Sequence, residues 1–290
     1  MFENFFAETG EWIRGLLQEA VLANMANLYS GINEGIGAVA EETVKTPQAW
    51  NADIYGLVKS LSETVMMPVA GIVITYVLCY ELISMVMEKN TMHDIDTWMF
   101  FRYIIKAWIA VYVASHSFEL SMAVFGLGGH LAEMASRTAS ASAAVDTAEL
   151  AAALEEKMKD MGTGELIALT AESMAMKLGI WAMYLLITVT LYVRAVDIYL
   201  YVSVCPVPFA TFSNREWGSI GNNYLRGLFA RAFQAFFIMT AVGIYSVLVT
   251  NTHMAEDLHA AMFGSAAYAF LLCLMLVRMG GFSQSVFGGG

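Results

Sequence analysis

Five long apolar stretches, separated by polar segments, dominate the sequence. They lie near residues 65–87, 107–127, 174–193, 232–249 and 258–277. A bilayer hydrocarbon core of about 30 Å requires about 20 apolar residues in a helix, and each stretch is close to that length. The pattern therefore predicts an all-α, polytopic integral membrane protein, with about five transmembrane helices in a membrane domain over 65–277.

The composition supports the same class. Apolar residues make up 58% of the chain and charged residues only 14%, whereas soluble proteins contain about 25% charged residues. The first twenty residues carry neither a basic leader nor a cleavage site of small residues, so we expect membrane insertion to depend on the internal spans.

The distribution of lysine and arginine predicts the orientation. These residues are sparse in 1–64 and in 128–173, but dense in 88–106 and in 194–231. Cytoplasmic loops close to the spans are enriched in both residues. We therefore expect a plasma-membrane protein with an extracytoplasmic N-terminus, an extracytoplasmic loop 128–173, a cytoplasmic loop 194–231 and a cytoplasmic tail at 278–290.

The acidic region 1–64 begins with an amphipathic pattern. Apolar residues recur at helical spacing through 2–30, with glutamates between them, which predicts a helix that lies on a membrane or on a partner. Because the polar face is acidic, a protein partner is favoured over anionic lipid. We expect the glycines at 31, 35 and 37 to loosen the chain. Residues 133–165 read as a small-residue linker followed by a short helix that ends at Gly162, and for both segments a solvated connection remains the alternative.

The stretch Arg194–Phe209 interrupts the apolar pattern with a charge pair and two prolines. We expect the third span to end near Arg194, which can pair with Asp197 three residues later. Pro206 and Pro208 remove backbone donors, and nonhelical backbone at membrane depth needs protein or a water-filled cavity around it. The pattern predicts a re-entrant or interfacial segment packed inside an assembly. A kinked surface turn is the alternative.

The segment that follows leads into the fourth span. Ser213 or Asn214 can cap a helix, and aromatic residues such as Trp217 and Tyr224 suit the headgroup layer. Arg226, Arg231 and Gln234 then enter the span. The two arginines are five residues apart and do not share one tight helical face, so a solvated, snorkelling pair is the alternative to an assembly role.

Two acidic residues fall inside predicted spans. Glu81 lies in the first span, and Glu119 lies in the second with His116 three residues before it. Such groups need a polar cavity, a partner or a counter-ion, and Lys106 or Arg102 could serve Glu81. A proton or ion pathway through His116 and Glu119 is the alternative. A secondary transporter or ion channel would use Glu81, Glu119, Arg194 and Asp197 as its polar pathway.

The sequence shows no pattern for catalysis or cofactor binding. A phosphate-binding glycine loop, an HExxH pattern and a nucleophile elbow are all missing from it. The run FGLGGH at 125–130 is read as small residues that let helices approach closely. The three cysteines are read as buried small hydrophobes. We therefore predict a protein that is not an enzyme and that has no cofactor, no metal and no basic DNA-binding motif.

The region 194–238 combines the charged helix end, the PVP break, the aromatic turn and the run YLRGLFARAFQAFF. In these features the chain resembles the TrbL-like polytopic membrane component of type IV secretion and conjugation machines. The resemblance implies a bacterial plasma-membrane subunit, in several copies, that helps single-stranded DNA with bound protein to pass. Other secretion subunits, including motor ATPases, are the implied partners, alongside membrane lipid. An assembly scaffold that never lines the conduit remains an alternative.

Overall fold

A computed structural model describes residues 2–87, 97–140, 155–159, 161–214, 216–252 and 258–288. This part of the chain is helical and contains no strand. A π-helix, Ser62–Met66, joins α3 to α4. The α-helices are α1 (Phe2–Val44), α2 (Pro47–Trp50), α3 (Ala52–Leu61), α4 (Met67–Met87), α5 (Thr97–Ser115), α6 (Ser117–Ser140), α7 (Thr163–Ser203), α8 (Pro206–Ala210), α9 (Gly218–Thr252) and α10 (Leu258–Phe287).

Several helices have the length and apolar character of a membrane crossing. Four candidates occur within the described residues: Ala52–Met87, Thr163–Ala210, Gly218–Leu248 and Ala266–Phe287. The pair α5 and α6 forms a fifth candidate, bent by 66° at its break. Four or five crossings, all helical, confirm the prediction of an all-α polytopic membrane protein.

The break between α5 and α6 falls inside the second predicted span, 107–127, which is therefore not one straight helix. Its position follows from the local sequence Ser115-His116-Ser117. The Ser115 hydroxyl donates to the Tyr112 carbonyl at 2.9 Å, and His116 Nδ1 lies 3.0 Å from the same oxygen. Polar side chains that bond a carbonyl three or four residues back compete with the helical ladder and bend it.

Other helices extend beyond their predicted ends. The third span was expected to end near Arg194, but α7 continues to Ser203. The last span was expected to end at 277, but α10 continues to Phe287. The expected small-residue linker begins as helix, because α6 reaches Ser140, and its later part, 141–154, lies outside the described residues. A single charged side chain or a run of small residues does not by itself stop a helix.

The described residues form two compact units. Unit 1 comprises Met1–Thr43, Glu133–Leu191 and Ile238–Arg278, and unit 2 comprises Val44–Ala132, Tyr192–Phe237 and Met279–Gly290.

In unit 1, α1 continues through Gly31, Gly35 and Gly37 instead of loosening there. A Cβ built on Gly31 would lie 3.6 Å from Ile180, and one on Gly35 would lie 3.8 Å from Tyr184. The two contacts advance together along both chains, so α1 and α7 run parallel at close approach. Small residues permit such packing between membrane helices, and here they do so without breaking the helix.

The apolar face of α1 is covered by the chain's own residues. Val21, Met25 and Leu28 are each at most 1% exposed, and Gln18 Nε2 donates to the Met158 carbonyl at 3.0 Å. This part of α1 is therefore core, which corrects the expectation that the whole face lies on a membrane or a partner. Trp12 remains exposed near the N-terminus.

Candidate functional site

The two prolines that interrupt the sequence pattern lie in a short helix and not in nonhelical backbone. α7 ends at Ser203, a turn follows, and α8 begins at Pro206. The first turn of a helix leaves its N–H groups without intrahelical partners, so proline costs little there. We call residues 204–214, which contain α8 and the turns directly on either side of it, the connector.

The connector is buried within unit 2. Phe209 is 4% exposed and Ala210 is fully buried. Around Ala210 lie small and branched side chains of α4 and α5, namely Ala70, Ile74, Ala110 and Ala114. Because the alanines of this set are small, α4 and α5 pack closely against α8. The expectation that the connector is packed inside protein therefore holds within this one chain.

Three helix irregularities of unit 2 meet at Cys205. The residue precedes α8, and its Sγ lies 3.8 Å from the hydroxyl of Ser62, the first residue of the π-helix. It also lies 3.6 Å from the hydroxyl of Ser117, the first residue of α6. All three residues are completely buried. Hydroxyl and thiol groups thus satisfy one another where three helices depart from regular geometry.

The turn after α8 is held by its own side chains. Asn214 Oδ1 accepts from the Glu216 and Trp217 amides at 2.7 and 3.0 Å, so Asn214, of the two predicted candidates, forms the cap. The Thr211 hydroxyl accepts from the Gly221 amide at 3.1 Å. A Cβ on Gly221 would lie 2.8 Å from the Pro208 carbonyl, so only glycine permits this approach of α9 to α8.

The same turn is fixed to α4. The Tyr80 hydroxyl donates to Glu216 Oε1 at 2.9 Å, and the Tyr76 and Trp217 rings lie 5.6 Å apart. Trp217 remains 41% exposed, which is compatible with its predicted place at a membrane interface. These two contacts, from successive turns of α4, link that helix to the turn before α9.

Two tyrosines join α7 to α9. The Tyr201 hydroxyl donates to the Tyr224 carbonyl at 2.8 Å, and the Tyr224 hydroxyl donates to the Tyr201 carbonyl at 2.8 Å. Their rings stack at 4.4 Å with an angle of 1° between the planes. Gly227 leaves the space that Tyr201 occupies, because a Cβ there would lie 2.3 Å from the Tyr201 hydroxyl. Tyr224 was expected at the headgroup layer, but it is buried.

An ion pair closes the other side of Tyr201. Arg231 Nε donates to Asp197 Oδ2 at 2.8 Å, and its guanidinium carbon lies 3.8 Å from the centre of the Tyr201 ring. The Arg231 side chain is 16% exposed and that of Asp197 is 48% exposed. Arginine suits this position because its planar cation can pair with a carboxylate and cover an aromatic face together. We call Asp197, Tyr201, Tyr224 and Arg231 the α7–α9 clamp.

The clamp corrects the predicted partner of Asp197. Asp197 and Arg194 share a helical face, yet Asp197 pairs with Arg231 of α9, and the Nε of Arg194 is buried without a hydrogen-bond partner in the described part of the chain. Asp197 pairs with Arg231, which is 34 residues away in the chain, because Tyr201 also contacts the Arg231 guanidinium. Arg226, in contrast, is exposed, while Gln234 is buried. The two arginines are therefore not a solvated pair.

The polar residues predicted inside the spans separate into two groups. Lys106 donates to Glu81 in unit 2, so the predicted counter-ion for Glu81 is confirmed. His116 and Glu119 are both exposed. His116 stacks on Tyr112 with ring centres 4.3 Å apart, and Glu119 lies in the first turn of α6, where the helix dipole favours an acid.

The run 125–130 brings α6 close to α9. A Cβ on Gly128 would lie 2.4 Å from the Ala232 carbonyl oxygen, and one on Gly129 would lie 3.2 Å from that of Val44. The interpretation of this run as a helix-packing surface is confirmed. At Gly128 glycine is required because the obstacle is backbone, which cannot rotate out of the way.

The contacts of this region join helices to one another. Among the described residues, no group of three or more His, Cys, Asp or Glu side chains could hold a metal ion. Sequence reasoning did not identify Tyr201 as part of the clamp, or Gly227 as the residue that leaves room for the Tyr201 hydroxyl. Their roles can be recognised only once α7, which carries Tyr201, and α9, which carries Gly227, are known to be neighbours.

Comparison with known proteins identifies the type of protein. The family model described as TrbL/VirB6 plasmid conjugal transfer like protein matches residues 32–206. The match includes Arg194, Asp197 and Tyr201 and ends at Pro206, so most of the region 194–238 lies beyond it. No curated protein matches. No solved structure matches either.

Proposed function

Because the chain belongs to the TrbL/VirB6 plasmid conjugal transfer like family, and is therefore a multi-pass membrane component of a conjugal transfer or type IV secretion system, we propose that it forms part of the channel or its scaffold. The protein catalyses no reaction in this role. It acts in several copies, together with other subunits of the system that include the motor ATPases. Its substrate is single-stranded DNA with bound protein. We further propose an extracytoplasmic N-terminus and a cytoplasmic C-terminus.

The observation that carries this proposal is the burial of the connector within unit 2. In unit 2 the irregular backbone around α8 packs against several helices. Such packing is expected of a subunit that must keep its shape inside a larger complex. Proline and turn backbone survive at membrane depth only when protein covers them. The connector, bounded by the clamp and by Tyr80, meets that requirement.

The alternative, a secondary transporter or ion channel, would use the intramembrane acids as its pathway. Two of those acids, Glu81 and Asp197, are engaged by Lys106 and Arg231. An engaged acid is a weaker candidate for a moving proton or ion, which supports the structural role. Purified protein alone in liposomes should then pass no ion, and a flux lost on Glu81→Gln would favour the transporter.

A test of the proposal compares two arginines of α9. Arg231→Ala removes the ion pair and the contact with Tyr201, whereas Arg226→Ala changes an exposed residue of the same helix. We expect Arg231→Ala to insert into the membrane but to lose both DNA transfer and co-purification with other secretion subunits. Arg226→Ala should retain both. Arg231→Lys keeps the charge but not the planar fork, and should be intermediate.

The readouts are transfer frequency in a mating assay, protein amount in the membrane fraction, and complex size on a native gel. Wild-type transfer and complex size for Arg231→Ala, at wild-type protein level, would contradict the proposal that the clamp serves assembly.

A further inference from the structure

The N-terminal part of α1 carries an exposed apolar patch between two glutamates. Trp12 is 68% exposed and Leu16 is 53% exposed. They are four residues apart and lie on one face of the helix, which Glu8 and Glu19 continue at either end. Ile13, 43% exposed, flanks this face. An exposed apolar patch with a polar rim is typical of an interaction site. We call these five residues the outer face of α1.

The opposite face of the same part of α1 is held by the chain itself. Gln18 Nε2 donates to the Met158 carbonyl at 3.0 Å, and Arg14 donates to the Lys159 carbonyl. Val21 is completely buried. At 3.6 residues per turn, positions 14, 18 and 21 share one side of the helix, directly opposite the outer face. This part of α1 is therefore anchored within unit 1, and the outer face is turned away from the anchoring residues.

The apolar part of the outer face lies beyond the lipid. Asn24 Nδ2 donates to the Ser173 hydroxyl at 3.1 Å, and Ser173 directly precedes the predicted third span, 174–193. An earlier start of that span would place the charge of Glu172 in hydrocarbon. Leu16 is eight residues before Asn24, or about 12 Å at 1.5 Å per residue. The headgroup layer on one side of a bilayer is only about 5–8 Å thick, so lipid does not cover the patch.

Charge selects among the remaining occupants. Glu8 and Glu19 are both exposed, and they repel the same face of a second copy as well as an anionic surface. Opposite charges across an interface attract the correct partner and exclude others. Tryptophan is among the residues that contribute most binding energy at protein interfaces. Trp12 between two acids therefore suits a protein segment that is both apolar and cationic.

We propose that the outer face of α1 docks a cationic segment of another protein, on the side of the membrane where α1 begins. Apolar side chains of that segment cover Trp12, Ile13 and Leu16, and its lysines or arginines face Glu8 and Glu19. Because α1 is anchored by its opposite face, binding orders little of this chain, which lowers the entropic cost of association. The inference requires only that α7 spans the membrane, and it does not depend on the channel role.

The experiment is photocrosslinking of the full chain in its native cells. p-Benzoylphenylalanine replaces Trp12 in one variant and Trp181, which is also 68% exposed in unit 1, in the control. The adducts are digested and sequenced by mass spectrometry. We expect position 12 to crosslink to one protein, at a segment of net positive charge, and position 181 not to reach that segment. From position 12, a lipid adduct, an adduct with a second copy, an adduct with an acidic or uncharged segment, or no adduct would overturn the proposal.

A second comparison tests the role of charge. With the crosslinker in place of Trp12, Glu8→Lys together with Glu19→Lys should lower the adduct yield about tenfold, because two attractive contacts become repulsive. Glu155→Lys together with Glu156→Lys makes the same change in net charge at exposed residues of unit 1, and should leave the yield unchanged. Equal yields from the two double variants, at equal amounts of protein in the membrane, would overturn the proposal. A cationic partner from outside the secretion system would support the docking face and count against the proposed assembly.

Discussion

The contact between α6 and α9 in unit 2 gives a prediction whose magnitude follows from geometry. A Cβ on Gly128 would lie 2.4 Å from the Ala232 carbonyl oxygen and 2.8 Å from its carbonyl carbon. Ordinary contact begins at 3.4 Å, so Gly128→Ala requires the two helices to separate by about 1 Å. Overpacking of this kind costs about 1–3 kcal/mol.

A matched control removes the effect of helix propensity. Alanine is about 1 kcal/mol better than glycine inside a helix, so Gly128→Ala carries a gain that hides part of its steric cost. Gly126 lies on the same helix, and a Cβ there meets nothing within 4 Å. Gly126→Ala should therefore stabilise the protein by about 1 kcal/mol, and the difference between the two variants isolates the steric term.

The assay is thermal unfolding of the detergent-solubilised protein, followed by size exclusion after heating. A change of 1 kcal/mol shifts Tm by about 2–4 °C for a chain of this size class. Gly128→Ala should therefore unfold below Gly126→Ala by about 2–12 °C. If both variants unfold at one temperature, the close approach of α6 to α9 at Ala232 is refuted, and with it the packing of unit 2.

Further predictions concern the polar contacts of unit 2. Tyr224→Phe leaves the Tyr201 carbonyl without its donor and should cost about 1–3 kcal/mol in the same assay; an unchanged Tm would contradict the clamp. Lys106→Ala should reduce the amount of protein in the membrane, because Glu81 loses its counter-ion. The double variant with Glu81→Gln should restore that amount, and a double variant with the same low amount would contradict the ion pair between the two residues. Asn214→Ala should cost about 1 kcal/mol while Asn214→Asp should not, so equal Tm values for these two would exclude the cap.

The fold class was predictable because it depends on composition and periodicity. Apolar runs of span length, few charges and little β-pattern indicate membrane helices whatever their packing. Contacts that need only local information were predictable as well. Asn214 caps a helix by its own side chain, and the run 125–130 packs closely because small residues have few other uses in a span.

The helix ends were harder to predict because local signals have two meanings. Gly31 and Gly35 can end a helix or let another helix approach, and the sequence does not say which. Arg194 suggests the end of a span, yet α7 continues for nine residues beyond it. At His116 the opposite error occurred: the apolar run predicted one straight helix, whereas the chain bends there.

The clamp could not be predicted because it joins residues far apart in the chain. Asp197 has Arg194 within reach on its own helix, so local reasoning pairs them. The observed partner, Arg231, is preferred because Tyr201 provides a ring for the same guanidinium. This preference for Arg231 can be recognised only once α7 and α9 are known to pack together.

The measurement that tests the account most directly is the side of the membrane on which the start of α9 lies. Asn222 is exposed, so Asn222→Cys can be labelled with a thiol reagent that does not cross membranes, after the exposed Cys79 is replaced by serine. A cytoplasmic start of α9 predicts labelling in inverted vesicles and none in intact cells. Labelling of intact cells would place the arginine-bearing segment outside and contradict the proposed topology and role.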